Sequence, residues 1–142
     1  MAKVTREKKM DVTPEALYKA ITEFNAYPEF IPEVVEATTQ AGANDDKTLV
    51  TFELELIKRF QYTLQFRMRK NKEVVWKLVE SNFFKTNEGR WLLEPAAGGG
   101  TQVQYELEVG FGFLVPKFIS KKLTEVNLPK MFDSFERRAQ NL

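Results

Sequence analysis

The sequence predicts an α+β domain in which a curved antiparallel sheet is covered by one long C-terminal helix. Residues 49–109 form successive segments in which apolar and polar residues alternate, as they do in half-buried strands. Residues 116–142 form a Phe-rich stretch whose apolar positions have helical spacing. Since a single helix is a narrow cover for a large sheet, we expect an apolar cavity between the two.

Composition favours one domain over residues 1–142 and excludes several kinds of site. The chain has no Cys and no His, so disulfides, thiolate nucleophiles and His-dependent catalytic or zinc sites are excluded. A net charge of +1, from 21 basic and 20 acidic residues, predicts no nucleic-acid partner. The first ten residues lack the apolar core of a signal peptide, and no apolar run is long enough to span a bilayer. We therefore expect a cytoplasmic protein.

The N-terminal third predicts short elements. Residues 2–11 are typical of an edge strand protected by basic side chains. Thr13-Pro14-Glu15 is a helix start, with Thr as the N-cap, and the helix is predicted to reach about residue 23. Two prolines within residues 25–33 permit only a short helix or turn. A possible strand at 34–39 and a polar turn at 42–47 follow.

Five strands with regular alternation are predicted next. They cover residues 50–56, 62–68, 74–78, 83–94 and 103–109, with turns at 58–59 and 71–72 and a Gly-rich loop at 95–100. The outward side chains include Glu53, Glu55, Arg67 and Arg69. This pattern favours a sheet with one wet face and cross-strand charge pairs.

The C-terminal stretch has two apolar faces about 170° apart. The first face carries Val115, Ile119, Leu123 and Val126, and the second carries Leu128, Met131, Phe132, Phe135, Ala139 and Leu142. Pro129 lies at the change and removes a helical hydrogen bond. We therefore predict a break or sharp kink at residues 127–129. Residues 111–126 are then expected to open as a lid, and residues 129–142 to hold the sheet.

Four short motifs occur in the same order as these elements. They are Tyr27-Pro28-Glu29-Phe30-Ile31-Pro32; Asn87-Glu88-Gly89-Arg90-Trp91 with Leu93 and Pro95; Gly100-Thr101-Gln102-Val103; and Met131-Phe132-Asp133-Ser134-Phe135-Glu136-Arg137-Arg138-Ala139. Together they resemble the START/Bet v 1-like (SRPBCC) superfamily. Within it, the chain resembles the polyketide cyclase/dehydrase family that includes coenzyme Q-binding proteins and bacterial RatA-type proteins. The resemblance implies a helix-grip fold, a hydrophobic cavity and a lipid-like or quinone-like ligand, usually without catalysis.

The inward strand faces and the helix supply the candidate ligand-binding residues. These are Phe52, Leu54, Leu64, Phe66, Trp76, Trp91 and Tyr105 on the strands, with Phe118 and Phe132 on the helix. Any one of them could instead simply pack in the core, which is the usual role of an apolar strand face. Met131 and Phe135 are further lid candidates for which helix-to-sheet packing is the favoured role.

Catalytic groups are scarce in the sequence, and we assign none. Glu80 shares the predicted face of Val74, Trp76 and Leu78, so an inward, partly buried carboxyl group is one possibility. Tyr62 and Tyr105 could donate protons. The sequence contains no metal-ligand cluster and no phosphate-binding loop, and it predicts no cofactor.

The segment at 110–115 combines two glycines with exposed-looking apolar residues. Phe111, Phe113 and Leu114 precede Lys117 and the Lys121-Lys122 pair, which is typical of a portal that touches an anionic membrane. The alternative, which we favour, is a strand end that leads into the helix and leaves its lysines in water.

Three functions remain open at this stage. The first is a protein that binds or carries an apolar small molecule such as a lipid or an isoprenoid quinone. The second is an enzyme of polyketide-cyclisation type, which requires an acid or base inside the pocket. The third is a ribosome-associated interaction protein, against which the near-zero net charge argues.

Overall fold

The computed structural model describes residues 2–41, 47–56 and 58–142, and its centre is a curved antiparallel sheet. Within the described residues the sheet has seven strands in the order β1-β7-β6-β5-β4-β3-β2. Their bounds are β1 Ala2–Met10, β2 Val34–Ala41, β3 Lys47–Glu55, β4 Arg59–Arg69, β5 Glu73–Ser81, β6 Phe84–Pro95 and β7 Thr101–Phe111. The strand at residues 2–11 is an edge strand, as predicted. The polar turn predicted at 42–47 lies outside the described residues except for Lys47.

The helix α1 (Pro14–Thr22) begins where the sequence predicts. The Thr13 side chain accepts a hydrogen bond from the Ala16 N–H at 3.1 Å, which satisfies one of the free donors of the first turn. A 3₁₀ helix (Phe24–Glu29) follows, so the two prolines do limit this segment to a short element. The Tyr27 hydroxyl donates to the Ile21 carbonyl at 2.5 Å and thereby joins the two helices.

The outer face of the sheet carries cross-strand charge pairs, and Glu53, Glu55 and Arg69 of the predicted outward residues take part in them. Further pairs form at a residue that was not predicted. Arg90 lies between Glu73 and Glu106, with N–O distances of 3.7 and 3.3 Å. Arg59 pairs with Glu53 at 3.5 Å. The inner face is apolar, so the alternation in the sequence identifies the two faces of the sheet correctly.

A β-bulge between β4 and β5 reverses the expected orientation of Glu80. Leu78 pairs with Leu64, but Glu80 pairs with Thr63, so Val79 is the additional residue of the bulge. An extra residue shifts the two-residue alternation by one position. Glu80 is therefore exposed on the outer face, and the prediction of an inward carboxyl group at this position is wrong.

The C-terminal helix is continuous over 24 residues, so the predicted break at 127–129 is wrong. It consists of α2 (Lys117–Lys122), a π-helical turn (Leu123–Asn127) and α3 (Leu128–Gln140). Asn127 and Leu128 keep right-handed helical dihedral angles, with φ of −70° and −61°. The two predicted faces are reconciled by the π-helical turn and not by a break.

The π-helical turn rotates α2 relative to α3. It contains about one residue more than an α-helical turn, and each residue corresponds to about 100° of rotation. Ile119 and Leu128 are nine positions apart, which would place them on opposite sides of an uninterrupted α-helix. The extra residue brings them to about 80° from each other by the same count, and both side chains are buried.

Candidate functional site

A cavity of about 160 Å³ lies between the inner face of the sheet and the C-terminal helix. Seven of the nine predicted ligand-binding residues line it, namely Phe52, Leu54, Leu64, Phe66, Trp76, Trp91 and Tyr105. They stand on five strands, β3 to β7, at inward positions of the alternation. Sequence reasoning therefore locates the strand wall of the cavity, whereas the role of each residue as a ligand contact stays a prediction.

The other two predicted residues do not line the cavity. The Phe118 side chain is 61% exposed, because α2 turns it toward solvent. Phe132 is buried, but its ring packs on the rings of Tyr105 and Trp91, with centroids 4.8 and 5.2 Å away. Phe132 thus supports the wall from outside the cavity.

Two helix residues expected mainly to pack do reach the cavity. Met131 and Phe135 both line it. The Phe135 ring also makes edge contacts with the rings of Tyr27 and Trp91, each at a centroid distance of 5.3 Å. Because these rings fix one another in place, this side of the cavity is preformed.

Asn87 is a cavity residue that the sequence analysis missed. It is buried, and its Oδ1 accepts a hydrogen bond from Trp76 Nε1 at 3.0 Å. The signal was available, since Asn is uncommon within a strand and Asn87 shares the inward phase of Trp91, four residues later. The indole ring of Trp76 is therefore held in orientation by a partner on the neighbouring strand.

Two tyrosine hydroxyls border the cavity without a protein partner. Within the described part of the chain, the hydroxyls of Tyr62 and Tyr105 make no hydrogen bond, although both residues line the cavity. Burial raises the pKa of each phenol well above its usual value. Both groups are thus protonated near neutral pH and act as hydrogen-bond donors.

The helix contributes one unpaired acceptor. Asn127, in the π-helical turn, lines the cavity, and its Oδ1 is buried without a partner among the described residues. Because its position depends on the π-helical turn, helical periodicity alone could not place it there.

Charged side chains are almost absent from the wall. Among the described residues that line the cavity, Glu33 is the one charged residue, and it is partly exposed. No cluster of three or more Asp or Glu residues that could hold a metal ion occurs in the described ranges. No helix in these ranges is both long and apolar enough to cross a membrane. The arrangement is suited to holding a neutral, mainly apolar molecule.

The family comparison covers most of the chain. The sequence profile of a family described as "polyketide cyclase/dehydrase and lipid transport" matches residues 10–136. A search among curated proteins finds no significant match.

Three solved structures illustrate the similarity of fold. A START superfamily protein from Mycobacterium smegmatis has 21% identity and a TM-score of 0.80, covering 98% of this chain and 97% of that one. The Zhui aromatase/cyclase from a Streptomyces species has 8% identity and a TM-score of 0.80, covering 98% and 93%. A STAR-related lipid transfer protein from Xanthomonas axonopodis has 14% identity and a TM-score of 0.80, covering 97% and 85%. These similarities confirm the helix-grip fold.

Proposed function

Because this chain belongs to the polyketide cyclase/dehydrase and lipid transport family, we propose that it binds an apolar small molecule between its sheet and its C-terminal helix. The observation that supports this proposal most strongly is the composition of the cavity wall. Aromatic and aliphatic side chains from six strands, β2 to β7, and from the helix converge on one space. A single partly exposed carboxylate is the one charge among the described lining residues. Apolar surface buried there contributes about 25 cal/mol per Å² to binding.

The size of the cavity defines which part of a ligand it encloses. A volume of about 160 Å³ is close to that of an engineered cavity of about 150 Å³ that holds one benzene molecule. The ring of an isoprenoid quinone fits this space, whereas its tail, or a long acyl chain, does not. We infer that such ligands either extend out of the cavity or require the helix to move.

Fluorescence provides a direct test, since Trp76 and Trp91 are the two tryptophans of the chain and both line the cavity. A short-chain ubiquinone and a fatty alcohol are titrated, and native mass spectrometry determines what the purified protein carries. Leu64→Trp is expected to fill the cavity and weaken binding at least about tenfold, a loss of about 1.4 kcal/mol. Val79→Trp, at a position 53% exposed on the opposite face, is the control. An empty protein that takes up neither compound contradicts the proposal.

A cyclase-type enzyme is the second candidate, because the family includes cyclases and a carboxylate, that of Glu33, does lie at the wall. Glu80 is excluded from this role by its outward position. The raised pKa of Tyr62 and of Tyr105 makes both phenols weak acids near neutral pH. Binding is thus favoured over catalysis. Turnover of an aromatic polyketide precursor that is lost in Glu33→Gln would reverse this order.

We also propose that the protein contacts a membrane through an exposed apolar tip at the start of the C-terminal helix, which consists of Phe113, Leu114 and Phe118. Phe113 is 95% exposed, Leu114 81% and Phe118 61%, and the neighbouring Lys117 and Lys121 are also exposed. Apolar side chains beside lysines match the two attractions of an anionic bilayer. This exposed tip would place ligand entry near the membrane.

Phe111 does not belong to the tip, although its position in the sequence suggested that it would. Its ring is partly buried against Phe83 and Phe84, with centroids 5.4 and 5.5 Å away. Cosedimentation with phosphatidylcholine vesicles, with and without phosphatidylglycerol, tests the contact. We expect Phe113→Ser with Leu114→Ser to reduce binding to the anionic vesicles, and Val79→Ser to leave it unchanged. If the wild-type protein, the double variant and Val79→Ser sediment equally with the anionic vesicles, the proposed membrane contact is contradicted.

A further inference from the structure

The polar groups of the cavity consist mainly of unpaired donors. The Tyr62 and Tyr105 hydroxyls have no hydrogen-bond partner within the described residues. Both side chains line the same cavity. Their rings are held by neighbours, with Tyr62 stacked on Phe52 at 5.2 Å and Tyr105 packed on Trp91 at 4.9 Å. Their positions are therefore fixed before a ligand enters.

Asn87 adds a third donor. The indole N–H of Trp76 can only donate, so the Asn87 oxygen must face Trp76. The amide nitrogen then points away from Trp76, and it has no partner among the described residues. Asn87 is 8% exposed. Asn87 Nδ2 is not among the fully buried unpaired atoms of the described residues, so an acceptor on a ligand can reach it and gain a hydrogen bond.

The cavity also lacks a partner for an anion. No Lys or Arg occurs among the described lining residues, and the one charge there, on Glu33, is negative. A carboxylate or phosphate inside this space would lose its hydration without a compensating charge. A neutral carbonyl oxygen carries no full charge, so it loses much less hydration free energy in the same space.

We propose that the cavity selects a neutral ring compound that bears a carbonyl oxygen, which accepts hydrogen bonds from Tyr62, Tyr105 and Asn87. The ring fills the apolar space, whose volume of about 160 Å³ accommodates one ring. This inference rests on the proposed binding function and restricts its ligand to one chemical class.

Three probes of one size separate the chemical contributions. Acetophenone carries a carbonyl group, α-methylstyrene replaces that oxygen by a methylene group of similar shape, and benzoate carries a negative charge. Each is titrated by calorimetry at pH 7 against the wild-type protein, Tyr105→Phe and Tyr62→Phe. Tyr18→Phe is the matched control, because Tyr18 lies on α1 and does not line the cavity.

We expect each cavity variant to weaken acetophenone binding about fivefold to tenfold, which corresponds to the loss of one hydrogen bond. Binding of α-methylstyrene should stay within about twofold of wild type, which also shows that the variants are folded. Benzoate should bind more weakly than acetophenone. Equal losses for the two neutral probes, no loss in either variant, or tighter binding of benzoate overturns the inference while the binding function stands. Failure of all three probes to bind overturns the inference, and the quinone titration then decides separately whether the binding function itself survives.

Discussion

Gly89, on β6 opposite Trp76, has no room for a side chain. A methyl group there would collide with the carbonyl oxygen of Glu106 and lie 2.7 Å from Cζ2 of Trp76. The Trp76 ring therefore covers this glycine directly, and its place in the cavity depends on the missing side chain.

Gly89→Ala should lower the free energy of unfolding by about 1–3 kcal/mol, since overpacking forces the ring or the strand to move. Urea unfolding measures the loss. Gly112→Ala is the matched control, because its methyl group would lie 3.6 Å from the nearest atom, the Phe83 carbonyl oxygen, and we expect little change. Equal effects of the two substitutions would contradict the proposed contact.

The bond between Asn87 and Trp76 gives a second prediction at this scale. Asn87→Leu leaves the buried indole N–H of Trp76 without an acceptor, and we expect a loss of about 1–3 kcal/mol in urea unfolding. Trp76→Phe in the same chain removes the orphaned N–H, so the double variant should lose less than the sum of the two single variants. Strict additivity would show that the bond contributes no coupling.

At the scale of elements, α3 is fastened to the edge strand β1 by a charged cluster. Lys8 Nζ lies 2.8 Å from Glu136 and 3.3 Å from Asp133, and the Asp11 N–H donates to Glu136 at 2.9 Å. The hydrogen bond to Glu136 raises the pKa of Lys8. Burial opposes ionisation of Glu136, but hydrogen bonds from Lys8 and Asp11 outweigh it and lower the pKa of that carboxyl.

The cluster should make stability depend on pH in a defined way. Because the pKa of Glu136 is lowered in the folded protein, this carboxylate stabilises the fold at pH values above its ordinary pKa of 4.5. The contribution is lost as the pH falls through the pKa that Glu136 has in the folded protein. The raised pKa of Lys8 contributes below 10.5 and is lost at higher pH. Between pH 4.5 and 10.5, Glu136→Gln should lower the free energy of unfolding by about 0.5–1 kcal/mol. The loss is small because the Lys8 side chain is 41% exposed and solvent screens its charge. Asp133→Asn, at a side chain 62% exposed, should cost less, and a Glu136→Gln effect that persists unchanged at pH 3 would contradict the linkage.

The helix α2 is held less firmly than α3. Ile119 is its one buried side chain, whereas α3 buries Leu128, Phe132, Phe135 and Ala139. Ile119→Ala should therefore raise amide hydrogen exchange in residues 117–122 at least about tenfold and leave α3 protected. Phe118→Ala, at an exposed position, is the control. Equal exchange in α2 and α3 of the variant would show that the helix opens as one unit.

Alternation and caps were sufficient to predict most of the architecture from sequence. Phe52, Leu64 and Trp91 could be assigned to the inner face because each strand keeps a two-residue period up to that point. Glu80 could not, because a bulge depends on pairing with another strand and leaves no mark on its own strand's pattern. Phe118 was placed incorrectly for the same kind of reason, since the π-helical turn changes the phase of the helix.

At the scale of the whole molecule, the small cavity and the weakly held α2 predict that the size of a ligand decides how it enters. A single-ring ligand fits the space of about 160 Å³. A quinone with an isoprenoid tail either extends out of this space or enters when α2 moves, and we expect movement of α2. Stopped-flow Trp fluorescence should show acetophenone binding at a rate that rises linearly with its concentration. The observed binding rate of the tailed quinone should instead level off at high quinone concentration, at a value set by the rate at which α2 opens. Ile119→Ala should raise this limiting rate without changing the binding rate of acetophenone. A plateau that is the same in wild type, Ile119→Ala and Phe118→Ala would mean that the tail leaves the cavity by another route and that α2 is not the moving element.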